Sequence, residues 1–244
     1  MSDVLLQTQG LGVSFGGVHA VHAVDFQLQR GEVRCLIGPN GAGKSTFFKM
    51  LSGQLRPSRG EIHFKGKPLR GLATHEVARL GIGIKTQVPS VFEGLDVMEN
   101  LLLAAERRAD GNASSIAAHV LAEIGLDAVA HTPVNVLAHG QRQWVELGMI
   151  LASRPELVLL DEPAAGMTHQ EVRKTAELIA AINRHSTVVV VEHDMEFIRM
   201  IAGRITVFNQ GEVLAEGSFD EIMAHAEVRA AYLGKQGESH ARSA

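Results

Sequence analysis

Apolar and polar positions alternate along the first quarter of the chain. Val24, Phe26 and Leu28 alternate with Asp25, Gln27 and Gln29, and Ile62 and Phe64 alternate with Glu61, His63 and Lys65. A period of two predicts half-buried strands. Turn signals at Arg30-Gly31-Glu32 and Arg59-Gly60-Glu61 are expected to separate them. From about Glu99 to Ala130 the chain is rich in Ala, Leu and Glu, which predicts helix with an interruption near Asp110-Gly111-Asn112. Beyond Leu137 the pattern predicts a helix, a wholly apolar strand over 157–160, a helix over about Gln170–Asn183, and a second apolar strand over 188–191. Fully apolar strands between helices predict a parallel sheet covered on both faces, an α/β fold. Ser218-Phe219-Asp220-Glu221 has the spacing of a capping box and predicts the start of a last helix. The tail from about Lys235 is polar and expected to be disordered.

Composition narrows the classes. With 244 residues, 45% of them hydrophobic, the chain suits one large α/β domain or two closely joined subdomains and is long enough to bury a real core. A net charge of −4 gives no basic field for nucleic acid, so no nucleic-acid partner is expected. The single cysteine, Cys35, sits in an apolar run and is expected in the core. The start, MSDVLLQTQG, lacks a basic n-region, so no signal peptide is expected. No run of about 18 apolar residues occurs, so any membrane role is expected to come through a partner.

Two stretches carry chemistry. GPNGAGKST comprises Gly38, Pro39, Asn40, Gly41, Ala42, Gly43, Lys44, Ser45 and Thr46. It fits the phosphate-loop pattern between an apolar strand (33–37) and a helix (44–51). Glycines let backbone N–H groups turn toward phosphates, and the helix N-terminus adds a positive end. Lys44 is expected to reach the β- and γ-phosphates of ATP, and Ser45 to ligate Mg²⁺. LVLLDEP ends in Asp161 and Glu162. An acid at the C-terminal end of a parallel strand lies at the ligand edge of the sheet. Asp161 is expected to hold Mg²⁺, and Glu162 to polarise the attacking water.

With both motifs in one chain, the sequence resembles the ATP-binding cassette (ABC) ATPases over about Leu5–Gly234. The resemblance implies a P-loop ABC ATPase with a parallel-sheet core, an N-terminal antiparallel β subdomain and a helical subdomain over about 88–152, all in one domain over 1–234. It implies that Gln87 contacts Mg²⁺ and senses the γ-phosphate, that His193 is the switch histidine, and that Phe15 stacks on adenine. Taken alone, His193 is better read as a satisfied loop histidine, and Phe15 can be read as plain core; their joint order and spacing favour the functional roles.

The family's signature LSGGQ opens a helix that faces the nucleotide of a second subunit. Residues 137–141 read LAHGQ. Gly140 and Gln141 match, Ala138 replaces the serine and His139 the first glycine. Losing the serine hydroxyl removes a hydrogen bond to a charged group, worth about 1.5–3 kcal/mol, so the opposite nucleotide is expected to be held less tightly or hydrolysed more slowly. After Walker B the run is AAGMT (164–168), and Thr168 stands where an acid or its amide is common. HGQRQW, AAGMT and the C-terminal GSFDEIMAHAEVRAAYLG resemble the importer branch for urea and branched-chain amino acids, most of all the urea-type subunit. Export, for example of lipopolysaccharide, shares the same motifs and stays open.

The resemblance further implies two ATPase subunits, alike or different, clamping two Mg·ATP. Permease subunits are the other expected partners, with a periplasmic substrate-binding protein acting indirectly, and the chain is placed on the cytoplasmic face of the inner membrane. Val88, Val91 and Phe92 are expected to line the groove that receives a permease helix; the alternative is that they pack within the helical subdomain.

Overall fold

Strand propensity and the alternating pattern produce a long N-terminal hairpin. The computed structural model describes residues 3–86, 90–107 and 112–231. β1 (Val4–Phe15) pairs antiparallel with β2 (Val18–Gln29), and β4 (Arg59–Phe64) adds to β1. β5 (Lys67–Pro68) completes a four-stranded sheet of order β2-β1-β4-β5. The β1–β2 turn is Gly16-Gly17, both at positive φ, as a tight two-residue hairpin requires. Val24, Phe26, Leu28, Ile62 and Phe64 are all buried, as their alternation predicts.

A second sheet has the order β10-β9-β3-β8-β7-β6. Its strands are β3 (Val33–Ile37), β6 (Ile82–Lys85), β7 (Leu157–Asp161), β8 (Thr187–Val191), β9 (Arg204–Asn209) and β10 (Glu212–Gly217). The helices are α1 (Lys44–Leu51), α2 (Thr74–Arg79), α3 (Val97–Ala105), α4 (Ala113–Ile124), α5 (His139–Ser153), α6 (His169–Asn183), α7 (Met195–Ile201) and α8 (Phe219–Ala224). The chain separates into two compact units, Met1–Leu80 with Val189–Ala244, and Gly81–Val188. In the first, β3 runs parallel to β9, and β10 returns antiparallel. In the second, β6 and β7 are parallel, and α3, α4 and α5 pack on one another. Residues 157–160 and 188–191 are buried throughout, the consequence of their unbroken apolar runs.

The helix ends follow their caps. Ser218 accepts from the Glu221 N–H and opens α8 as predicted. Asn112 caps α4. The predicted Glu99–Ala130 helix is shorter than its composition implies. α3 ends at Ala105, and Gly125 closes α4 in the left-handed conformation, so 127–129 form only a 3₁₀ turn. The expected turn at Arg59-Gly60-Glu61 is instead the start of β4. Gly60 sits at φ 75° where the β1–β4 register shifts, and a Cβ there would lie 2.4 Å from the carbonyl oxygens of Gln9 and Gly10. The glycine serves a bulge rather than a turn. The expected interruption at Asp110-Gly111 and the polar tail from Lys235 fall outside the described residues.

Candidate functional site

The first unit carries the glycine loop. β3 ends at Ile37 and α1 begins at Lys44, as the motif requires. Gly38 (φ 149°) is buried against β9: a Cβ there would fall 2.2 Å from the Phe208 carbonyl oxygen. Gly43, at φ 104°, is the N-cap of α1 and brings no side chain to the first turn. The N–H of Gly211 donates to the Ala42 carbonyl at 3.0 Å, tying the β9–β10 turn to the loop. Lys44 Nζ donates to the Gly38 and Pro39 carbonyls at 2.6 and 3.1 Å, which folds the ammonium back along the loop. Asn40, Gly41 and Ser45 are exposed, and Thr46 is half-buried. The loop can thus offer backbone N–H groups, a cation and a hydroxyl at a helix N-terminus, the set that binds phosphate.

Two other predicted residues belong to this unit. Phe15 ends β1 and is 52% exposed, so it is not a core residue. His193 follows β8, its side chain largely exposed, with Nδ1 3.8 Å from Glu192 Oε2. Glu192 is buried, and its carboxylate accepts the His193 backbone N–H at 3.0 Å. Burial first, and Glu192 second, push the Cys35 thiol far up, so Cys35 is an inert core residue.

The second unit carries the acids and the signature stretch. Asp161 is the last residue of β7, and Glu162 follows at φ 45°, an unusual conformation for a residue with a side chain. Ala138 is the N-cap of α5 and His139 its first residue, so the histidine takes helical φ. Gln141 reaches back and accepts the Ala138 N–H at 3.1 Å. The reciprocal bond is missing, because a methyl group cannot accept. Thr168 caps α6: its N–H and Oγ1 both donate to Glu171 Oε2 at 2.8 Å. Those two bonds hold the Glu171 carboxyl below its ordinary value, with a smaller contribution from His139.

A cavity in this unit has Phe92, one of the three residues expected to line a groove, in its wall. Its volume is about 420 Å³, and Ile84, Ser90, Leu103 and Glu146 also line it, among others. Phe92 is 54% exposed and Val91 half-buried. Gln87 and Val88 lie outside the described residues. The wall holds a pair that the sequence reading missed. Glu146 and Lys85 are both buried, with Oε2 and Nζ 3.7 Å apart, and Ser90 N–H donates to Glu146 Oε1 at 2.9 Å. Burial pushes the Glu146 carboxyl up to about 7, against the opposing pull of Lys85 and Ser90. The available clue was a charged residue inside the apolar face of VELGMI.

A glycine loop between strand and helix in an α/β sheet defines a P-loop nucleotide-binding protein. The ABC transporter family matches residues 21–165, and a family described as branched-chain amino acid ATP-binding cassette transporter matches 212–238. The chain is 38% identical over 254 residues to the high-affinity branched-chain amino acid transport ATP-binding protein LivG of Salmonella typhimurium, covering 96% of this chain and 100% of that one. It is 36% identical over 235 residues to the lipopolysaccharide export system ATP-binding protein LptB of Acidithiobacillus ferridurans, covering 95% and 98%. A solved dimeric bacterial ABC transporter cassette superposes with a TM-score of 0.77 at 25% identity, covering 88% of this chain and 98% of that one. The chain belongs to the ABC transporter family and is an ATPase coupled to transport. No helix among the described residues is long and apolar enough to cross a membrane.

Proposed function

We propose that this ATPase powers a branched-chain amino-acid importer. The observation that carries the reading is the match of residues 212–238 to the branched-chain amino-acid cassette family, alongside the 38% identity to LivG. The urea reading of HGQRQW and AAGMT gains no support from these relatives, and the expected alternative fits them better. The LptB relative keeps export as the competing outcome.

In this reading, the loop from Gly38 to Thr46 cradles the phosphates of ATP and Phe15 meets the adenine. Hydroxyl, carboxylate and amide oxygens from Ser45, Asp161 and Gln87 suit a hard cation, so these residues would hold Mg²⁺. The ion, when bound, neutralises charge on the β- and γ-phosphates. Glu162 orients and polarises the attacking water, and His193 contacts the γ-phosphate. Residues 138–141 face the nucleotide of a second subunit; the dimeric cassette supports the pairing of two ATPase chains. The Phe92 groove, in the helical subdomain, receives a cytoplasmic helix of the permease, so the chain sits peripherally at the inner membrane. A periplasmic binding protein delivers substrate without touching this chain.

The test is uptake of labelled leucine and labelled urea by cells lacking this chain, with and without it restored. Leucine uptake that depends on the chain supports the proposal. Dependence of urea uptake alone returns the substrate to urea, and no change in either moves export forward.

A further inference from the structure

The two stretches that depart from the common family pattern, HGQRQW and AAGMT, touch each other. His139 Nε2 lies 3.3 Å from the Ala165 carbonyl oxygen and 3.5 Å from Gln143 Nε2. Gln143 is buried, and its Oε1 has no hydrogen-bond partner among the described residues. Which amide atom is oxygen is assigned from the hydrogen-bond network. Exchanging the two places Oε1 opposite His139, so that one Nε2–H is shared between Gln143 Oε1 and Ala165 O. The exchange gives the amide oxygen a donor. One turn further, the Trp144 indole N–H donates to Thr175 Oγ1 at 3.1 Å, and the Thr175 hydroxyl donates to Met167 Sδ at 3.1 Å. Thr175 is fully buried. Gly140, between these two links, abuts the Glu171 side chain that holds Thr168.

The first two turns of α5 therefore reach Ala165, Met167 and Thr168, three of the five residues of AAGMT. All of these residues lie within the second unit. A glycine at 139 has no side chain with which to make the first link. We propose that His139 and Trp144 are positioning residues that clamp loop 164–168 to the start of α5, so that the signature stretch and the loop after Walker B move as one piece. The two departures are then halves of a single device. The inference rests on the reading of 137–141 as the element presented to the second subunit's nucleotide.

The experiment is hydrogen exchange of the full-length chain, read on peptides spanning 164–168, together with steady-state ATP hydrolysis. The proteins are wild type, His139→Gly, His139→Gln and Trp144→Phe. Losing one link speeds loop exchange about fivefold, the ratio corresponding to one net hydrogen bond. The expected result is faster exchange in His139→Gly and Trp144→Phe, with kcat lowered and the ATP KM held. His139→Gln keeps a side-chain N–H donor, so its loop exchange stays near wild type. Unchanged loop exchange in His139→Gly overturns the clamp, and this exposed first-turn position decides even if Trp144→Phe fails to fold. Faster exchange with unaltered turnover overturns the functional half and identifies the reading of 137–141 as the part that failed.

Discussion

Gly140 of α5 lies so close to Glu171 of α6 that a Cβ would fall 2.3 Å from Glu171 Oε1 and 2.8 Å from its Cδ. Glu171 can swing away only by leaving Thr168, which donates two bonds to it at 2.8 Å. A methyl at 140 and an intact α6 cap therefore exclude each other. Gly140→Ala should lower stability by about 0.5–2 kcal/mol, the range for losing a helix cap. Urea denaturation at equilibrium checks this, and an unchanged midpoint would show that Glu171 has another resting place. Glu171→Ala should remove the difference between the two side chains at 140, because the obstacle is gone.

Ala138 combines two deficits, one within the chain and one proposed across the dimer. At the N-cap of α5 its methyl cannot accept the Gln141 N–H, although Gln141 returns its own half of the capping box. Ala138→Ser supplies the missing oxygen and should stabilise the fold by about 1 kcal/mol. The same hydroxyl is proposed to bind the γ-phosphate of the opposite subunit, so turnover should rise as well. Stability read on the nucleotide-free chain and ATP hydrolysis read on the dimer separate the effects. A gain in stability with unchanged or slower turnover would remove the trans role while leaving the cap.

Much of this molecule was legible in its sequence, for identifiable reasons. The β3–loop–α1 unit, the apolar strands β7 and β8 and the α8 cap depend on local chemistry: a glycine loop, unbroken apolar runs and a serine with a glutamate three residues on. What was not legible depends on partners distant in the chain. Gly60 reads as a turn until the carbonyls of Gln9 and Gly10 close over it. Lys85 and Glu146 are 61 positions apart, and only the packing of α5 beside β6 makes them a buried pair. The same holds for the contact of Trp144 with Thr175, which no periodicity announces.

Glu162 follows β7 at φ 45°, a conformation that costs a side-chain-bearing residue strain. In the proposed role its carboxylate orients water rather than binding nucleotide. Glu162→Gln should therefore keep ATP affinity near wild type and favour the ATP-held dimer, while hydrolysis falls by about 100-fold or more. Nucleotide binding by calorimetry, dimer formation by size exclusion with ATP, and phosphate release measure the three parts. Normal phosphate release from the variant would move the water-activating role to another residue.

The buried Glu146 sets a pH dependence whose direction is opposite to that of an ordinary paired carboxylate. Its pKa is raised from 4.5 to about 7, chiefly by burial. Between those values the folded chain keeps a proton that the unfolded chain has released. Stability from this group is therefore fully present below about pH 4.5 and is lost as pH rises through about 7. Glu146→Gln has the same shape and no proton to lose, so the melting temperature of the variant minus that of the wild type should climb from pH 5 to pH 8. Lys85, buried beside the carboxyl, and Arg107, on the wall of the same cavity, are the basic groups that face it. Taking the difference cancels every other titrating group that the substitution leaves alone. Thermal melts of both proteins in matched buffers at pH 5, 6, 7 and 8 provide the test. A difference that falls with pH would mean that Glu146 is ionised throughout, with the attraction of Lys85 outweighing the cost of burying the charge.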